Sequence, residues 1–295
     1  MMAYQGELAG LGAALIWALA SFIYVSLGKQ MPPLVLNFTK SSVAIGLILL
    51  TLAVQGDLQP QMSLANLGWL LLSGAIGIGF GDTAYFASLN CLGARRSLLM
   101  ESLAPPLAAL LAAVFLEEQL TVQVWLGIGL TVSGVAWVVA ERTPDAVPGE
   151  FRPLRGIGFG ALAALGQAGG AVLSRAALAD TAVSPLWSTL IRLVAGVLVL
   201  FLLILPQRQD WARFQPIRSP RFLTVLVATS FFGTYLAIWL QQIALKYTAT
   251  GIAQALTSTS PLFVLPIAAL LREKISLRAV LGVFVALTGV WLLLR

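Results

Sequence analysis

The chain has 295 residues, of which 59% are hydrophobic and only 10% charged, with a formal net charge of +6. An ordinary soluble domain carries roughly 25% charged residues, so this balance excludes a water-soluble globule and makes the bilayer the solvent for most of the chain. Histidine is absent and there is a single cysteine, Cys91, which excludes an internal disulfide, Ser/His or Cys/His nucleophile pairs and histidine metal sites.

No cofactor, metal site or catalytic residue is therefore expected. The basic residues sit singly between apolar runs, as membrane flanks do, so the positive balance points to lipid headgroups and not to nucleic acid. The first apolar stretch, near Ala9 to Leu27, lacks a Lys/Arg-rich leader and is long enough to span, so it reads as a helix and not as a cleaved signal.

Runs of about 20 apolar residues, enough to cross roughly 30 Å of hydrocarbon, predict ten spans in chain order: 7–27, 33–54, 66–90, 96–116, 122–140, 156–178, 185–205, 221–245, 249–271 and 277–294. The expected class is an all-α integral membrane protein. Connections are short except for the proline-rich stretch in the middle, which carries charges of both signs. That stretch divides the chain into a first unit 1–141, a linker 142–154 and a second unit 155–295.

The two units repeat each other. Pro33-Leu34 followed by Lys40 matches Pro185-Leu186 followed by Arg192, and Gly81 matches Gly233, at an offset of 152. SLNCLGARRSLLMESLAP (88–105) matches ALKYTATGIAQALTSTSP (244–261), and FLEEQLT (115–121) matches LLREKIS (270–276). Five spans per unit is an odd number, so the second repeat must enter the membrane from the opposite side. Inverted repeats of this kind recur in secondary transporters.

Thirteen of the 18 Lys and Arg residues fall in the loops after spans one, three, five, seven and nine, against two in the other loops and termini. The positive-inside rule then predicts both termini outside the cytoplasm.

Taken in order and twice, GFGDTAYFASL (79–89) with ALKYTATGIAQ (244–254), SLAPPLAALLAAVFLEEQLT (102–121) with STSPLFVLPIAALLREKIS (258–276), and WLGIGLTVSGVAWVV (125–139) with VLGVFVALTGVWLLL (280–294) form one pattern. It resembles the drug/metabolite transporter superfamily, in particular ten-helix proteins with two EamA-type domains. That resemblance implies a transporter of the inner or plasma membrane, monomeric or homodimeric, moving small metabolites, amino acids or drug-like molecules, often outward. It also implies cytoplasmic termini, against which the loop charges argue here.

An ionisable residue within a span costs several kcal/mol unless paired, hydrated or able to snorkel, so each is a candidate for function. Lys40, Asp82 and Glu101 fall at comparable depth and are expected to cluster on the cytoplasmic side, with Asn37 and Tyr85 one turn from Lys40 and Asp82. In the functional reading Asp82 or Glu101 exchanges a proton against substrate. In the structural reading Lys40 and Asp82 are a permanent ion pair fixing two helices. Glu101 lies one turn before Pro105-Pro106, where a proline-broken helix frees carbonyls toward a cavity.

Arg192, the repeat mate of Lys40, has Thr234 where its mate has Asp82. It is expected either to receive a substrate anion or to snorkel. Arg175, near a helix end, reads as snorkelling, and Glu118 and Glu273 read as interfacial. Trp17, Tyr24, Gln167, Tyr235, Trp239, Gln254 and Ser258 extend the candidate pocket, and glycine pairs such as Gly77/Gly81 read as close helix packing. With no Walker sequence and no GxSxG, the expected function is a secondary carrier, an exporter driven by a proton gradient or by the substrate's own gradient. A channel, or a membrane-embedded enzyme or scaffold, is the alternative.

Overall fold

The computed structural model describes residues 4–28, 30–92, 94–141, 152–205, 216, 219–263, 266 and 277–295. Most of the expected linker, the end of the ninth expected span and Glu273 beyond it lie outside the described residues. What is described is helical: α1 (Gln5–Gly28), α2 (Pro33–Gln55), α3 (Leu64–Leu92), α4 (Ala94–Glu101), α5 (Ala104–Phe115), α6 (Val122–Glu141), α7 (Pro153–Leu178), α8 (Pro185–Ile204), α9 (Pro220–Tyr247), α10 (Thr250–Thr257) and α11 (Leu277–Leu293). Among these residues seven helices are long and apolar enough to cross a membrane.

The starts follow local chemistry. α2, α7, α8 and α9 each open with a proline in the first turn, where a missing N–H costs nothing and the fixed φ suits a helix. Ser63 and Ser184 cap α3 and α8 by accepting from Asn66 and Leu186.

Two departures from regular helix recur at corresponding places in the repeats. α3 and α9 each widen into a π-helical stretch, Ala75–Gly81 and Phe231–Leu236. The fourth expected span is broken into α4 and α5 at Ser102-Leu103, and α10 stops at Ser258-Thr259, in both cases just ahead of a proline, Pro105 or Pro261. Proline has no N–H and its ring clashes with the carbonyl four residues back, so the helix cannot run through.

Polarity is reversed relative to a soluble protein. Leu19, Leu50, Val54, Phe80, Leu162 and Phe284 are exposed on the outside, whereas Ser73, Ser88, Thr131, Ser174, Ser188 and Gln242 are fully buried. Water-free surroundings reward interior hydroxyls that find partners: Ser73 donates to the Gly170 carbonyl at 2.6 Å, Ser88 to that of Gly156 at 3.1 Å, whereas the Thr131 hydroxyl is left without one.

Helices meet at glycines. A Cβ on Gly166 would lie 2.9 Å from the Cα of Gly81, and one on Gly170 would lie 3.1 Å from the Cα of Gly77, so α7 and α3 cross backbone to backbone. In the other repeat Gly233 of α9 takes the matching place against Ala20 and Tyr24 of α1. The halves are therefore interleaved, each one's first helix packing on the other's third.

The last helices of the two repeats, α6 and α11, pair with each other. Gly127 lies against Gly289, and Gly134 against Gly282 and Ala286, while Gly282 and Gly289 return the contacts. Numbers rise along one helix as they fall along the other, so the two cross antiparallel, each repeat-mate glycine facing the other's mate. Gly134→Ala would drive a methyl into the backbone of α11. We expect it to destabilise the protein by about 1–3 kcal/mol, read as a lower unfolding temperature in detergent, while Gly129→Ala, which meets open space, leaves that temperature unchanged.

Candidate functional site

Both helix breaks face one cavity of about 280 Å³. Ser102 and Pro105 line it from the first repeat, Thr257, Ser258, Ser260 and Pro261 from the second. Beyond each break the chain leaves the regular ladder: Leu103 donates to Met100 and Thr259 to Leu256, both one residue short of an α-helical bond. Glu101, the last residue of α4, lines this cavity, and the Gln167 side chain of α7 sits at hydrogen-bonding range of its carboxyl. Leu98, Val135 and Val139 supply an apolar wall.

A second cavity, of about 150 Å³, shares Trp17, Gln167 and Gln241 with the first. Three ionisable side chains line it: Lys40, Asp82 and Arg192. Lys40 and Arg192 each lie seven residues, roughly two turns, after the proline that starts α2 or α8. Gly74 then lets α8 sit directly on α3, since a Cβ there would collide with the Arg192 backbone. Gly196 does the same one turn on, against Ile78. That crossing carries Arg192 to the helix that bears Asp82.

Within the cavity the charges do not close on one another. Asp82 accepts a hydrogen bond from the Asn37 amide at 3.1 Å. The Lys40 ammonium lies 5.1 Å above the Tyr24 ring, and no ion pair within 4.0 Å joins it to Asp82 among the described residues. Of the expected cluster, Lys40 and Asp82 line the smaller cavity and Glu101 the adjoining larger one, where it remains close enough to Asp82 to feel its charge. Arg192 joins the smaller one from the other half. It is 3% exposed, and its Nε and Nη1 have no hydrogen-bond partner. A buried donor left unpaired costs about 1–3 kcal/mol.

Arg175 does not snorkel. Its Nε lies 2.9 Å from Glu118 Oε1, and its Nη1 donates to the Leu245 and Lys246 carbonyls at 2.9 and 2.7 Å. Those carbonyls belong to the last turn of α9, where helix geometry leaves them without intrahelical donors. Glu118, expected as merely interfacial, also accepts from the Thr250 N–H at 2.9 Å and its hydroxyl at 3.1 Å. It thus caps α10 from the other repeat, where Ala249 offers no side-chain cap. Glu117, at φ 55°, ends α5 in a left-handed turn, and the Glu118 N–H folds back to the Ala112 carbonyl at 3.3 Å.

The remaining candidates separate. Trp17 lines both cavities and its Nε1 donates to the Gly233 carbonyl at 2.9 Å. Gln254 and Ser258 line the larger cavity, Gln254 donating to the Gln167 carbonyl at 3.4 Å. Tyr24 borders the smaller cavity through Thr234, which shares a hydrogen bond of 2.9 Å with its hydroxyl. Tyr85 lines neither, but is close enough to Glu101 and Asp82 to feel their charges. Tyr235 and Trp239 pack in an apolar cluster with Ile48 and Leu190, and Tyr235 bonds Thr51 at 3.2 Å. Sequence reading passed over Gln241, which lines both cavities. Its signal was the pair Gln241-Gln242 in the middle of a long apolar run, polar groups too costly to face lipid.

One family model, the EamA-like transporter family, matches residues 4–140 and again 154–295. No curated protein matches the chain. A solved crystal structure of a protein, 17% identical, superposes with a TM-score of 0.79 over 99% of this chain and 97% of that one, a likeness of fold. Two complete matches in tandem, on a helical bundle with polar cavities at the contact of its halves, identify the chain as a member of the EamA-like transporter family.

Proposed function

We propose that the protein is a secondary transporter of the inner or plasma membrane that moves small metabolites, amino acids or drug-like molecules outward by alternating access. The observation that carries this reading is the pair of adjoining cavities lined by both repeats, Trp17, Lys40, Asp82 and Glu101 from one, Gln167, Arg192, Gln241 and Gln254 from the other. A binding site made at the seam between two interleaved bodies changes its access when the bodies rock against each other.

The reading takes the chain as ten spans in inverted repeats. The antiparallel crossing of α6 and α11 at matched glycines supports the inversion. The loop charges favour both termini outside the cytoplasm. On that orientation the Glu118–Arg175–Thr250 contact lies at the outer end, about 12 Å along α7 from Gln167, and serves as the closed outer gate. Opening it would uncap α10, whose Gln254 and Thr257 line the larger cavity, so gate and site are mechanically joined.

Glu101 is the coupling carboxyl in this scheme, with Asp82 held by Asn37 as a fixed charge. A proton on Glu101 and substrate in the cavity would then exclude or require each other, which ties transport to a proton gradient.

In proteoliposomes, a transported compound should show saturable uptake that is accelerated by the same compound trapped on the far side. Non-saturable flux without this counterflow would mean a channel and would end the carrier reading. Glu101→Gln should keep counterflow yet lose stimulation by a pH gradient; stimulation that persists in this variant and in Asp82→Asn rules out both carboxyls as coupling groups. In a Cys91→Ser background, Glu118→Gln should make a cysteine placed at Thr250 react at least several-fold faster with an impermeant maleimide added outside. Unchanged labelling would remove the gate.

A further inference from the structure

Resting on the carrier reading above, we propose that the smaller cavity is an anion subsite, and that the substrate is an amphipathic organic monoanion whose acid group binds Arg192 while its apolar body lies in the larger cavity.

The cavity holds two cationic side chains, Lys40 and Arg192, and one carboxylate, Asp82. Its formal charge is therefore one positive unit, which a single acid group would balance. Arg192 is the side chain with unfilled capacity. It is 3% exposed, lines the cavity, and its Nε and Nη1 are without partners. Asp82 acts on it through charge but makes no hydrogen bond to either nitrogen, its own bond being with Asn37. A guanidinium with free donors in a low-dielectric pocket matches carboxylate, sulfonate or phosphate oxygens far better than a neutral group.

The neighbouring cavity defines the rest of the molecule. It joins the anion subsite across Trp17, Gln167 and Gln241, so a ligand passing from one to the other crosses an indole face and two amides. Beyond them Leu98, Val135 and Val139 receive an apolar or aromatic body, as ligand pockets with few polar anchors do. Glu101, within hydrogen-bonding range of Gln167, also lines this cavity, where its negative charge disfavours a second acid group and limits the ligand to one.

The two cations reach this point as repeat mates, Lys40 on α2 and Arg192 on α8, each two turns from its helix-starting proline. Asp82 has no acidic counterpart, Thr234 standing in its place. The symmetry therefore duplicates positive charge at the seam and supplies only one internal counter-charge.

The test uses four probes of one shape: phenylacetate, phenylacetamide, 2-phenylethylamine and phenylalanine. Binding to the purified full chain is read by calorimetry and by the rise in unfolding temperature that a ligand of the folded state produces. Phenylacetate should bind at least about tenfold more tightly than the other three. Arg192→Gln should abolish that preference, Arg192→Lys should retain part of it, and Gly129→Ala should leave it intact. If Arg192→Gln does not fold, Lys40→Gln and Arg192→Lys carry the comparison, each expected to weaken phenylacetate several-fold without altering phenylacetamide.

Tighter binding of the amide, the amine or the zwitterion, no binding of phenylacetate at millimolar concentration, or an anion preference unchanged in the folded cation variants would each overturn the proposal. Because binding is measured without transport, intact anion binding with failed counterflow would sink the carrier reading alone. Counterflow of other solutes without anion binding would sink the anion subsite alone.

Discussion

Close backbone approach at glycine is the constraint on which the rest of this structure depends. In lipid there is no hydrophobic force to press one apolar helix against another, so association rests on van der Waals contact and interhelical hydrogen bonds, and small residues maximise both. Gly77 and Gly81 of α3 meet Gly170 and Gly166 of α7, Gly74 meets the Arg192 backbone, and the glycines of α6 and α11 meet one another. These contacts set which polar side chains share a cavity. Moved outward by a single methyl at Gly74, α8 could not bring Arg192 beside the helix of Asp82.

The same economy explains how polar groups are tolerated inside. Serines and threonines at the crossings bond to carbonyls or to each other, as Ser73 does with Gly170 and Ser174. Helix ends within the bundle are satisfied by side chains, Arg175 closing the end of α9 within the second repeat and Glu118 the start of α10 across the repeat boundary. Other buried atoms, such as Thr131 Oγ1 and Trp187 Nε1, also lack partners, but the unpaired donors of Arg192 belong to a charged side chain that lines a cavity. Buried donors that face a cavity without a partner are the pattern expected where a ligand supplies the missing partner.

Much of this was legible beforehand because the bilayer imposes its own period. Span lengths follow from hydrocarbon thickness, and the predicted starts at Pro33 and Pro185 coincide with α2 and α8 because proline at a first turn is a local matter. The break after Glu101 was readable for the same reason, from Pro105-Pro106. Arg175 was misread because its partners, Glu118 and the carbonyls of α9, are distant in sequence. Tyr235 and Trp239 were expected at the pocket, yet the face of α9 they occupy packs against α2 and α8. Periodicity gives the face of a helix but not the neighbour that covers it.

The sequence by itself determined the solvent, the helical class, the duplication and the family, since each depends on composition or on spacing along the chain. It also named the few ionisable residues that lipid would not tolerate. Only the tertiary structure decided how those residues divide: Lys40, Asp82 and Arg192 into one cavity, Glu101 into the next, Arg175 and Glu118 into a contact that joins the halves. Which charge meets which is fixed by interhelical distances of a few ångströms, and these come from the fit of glycine against glycine on helices far apart in sequence.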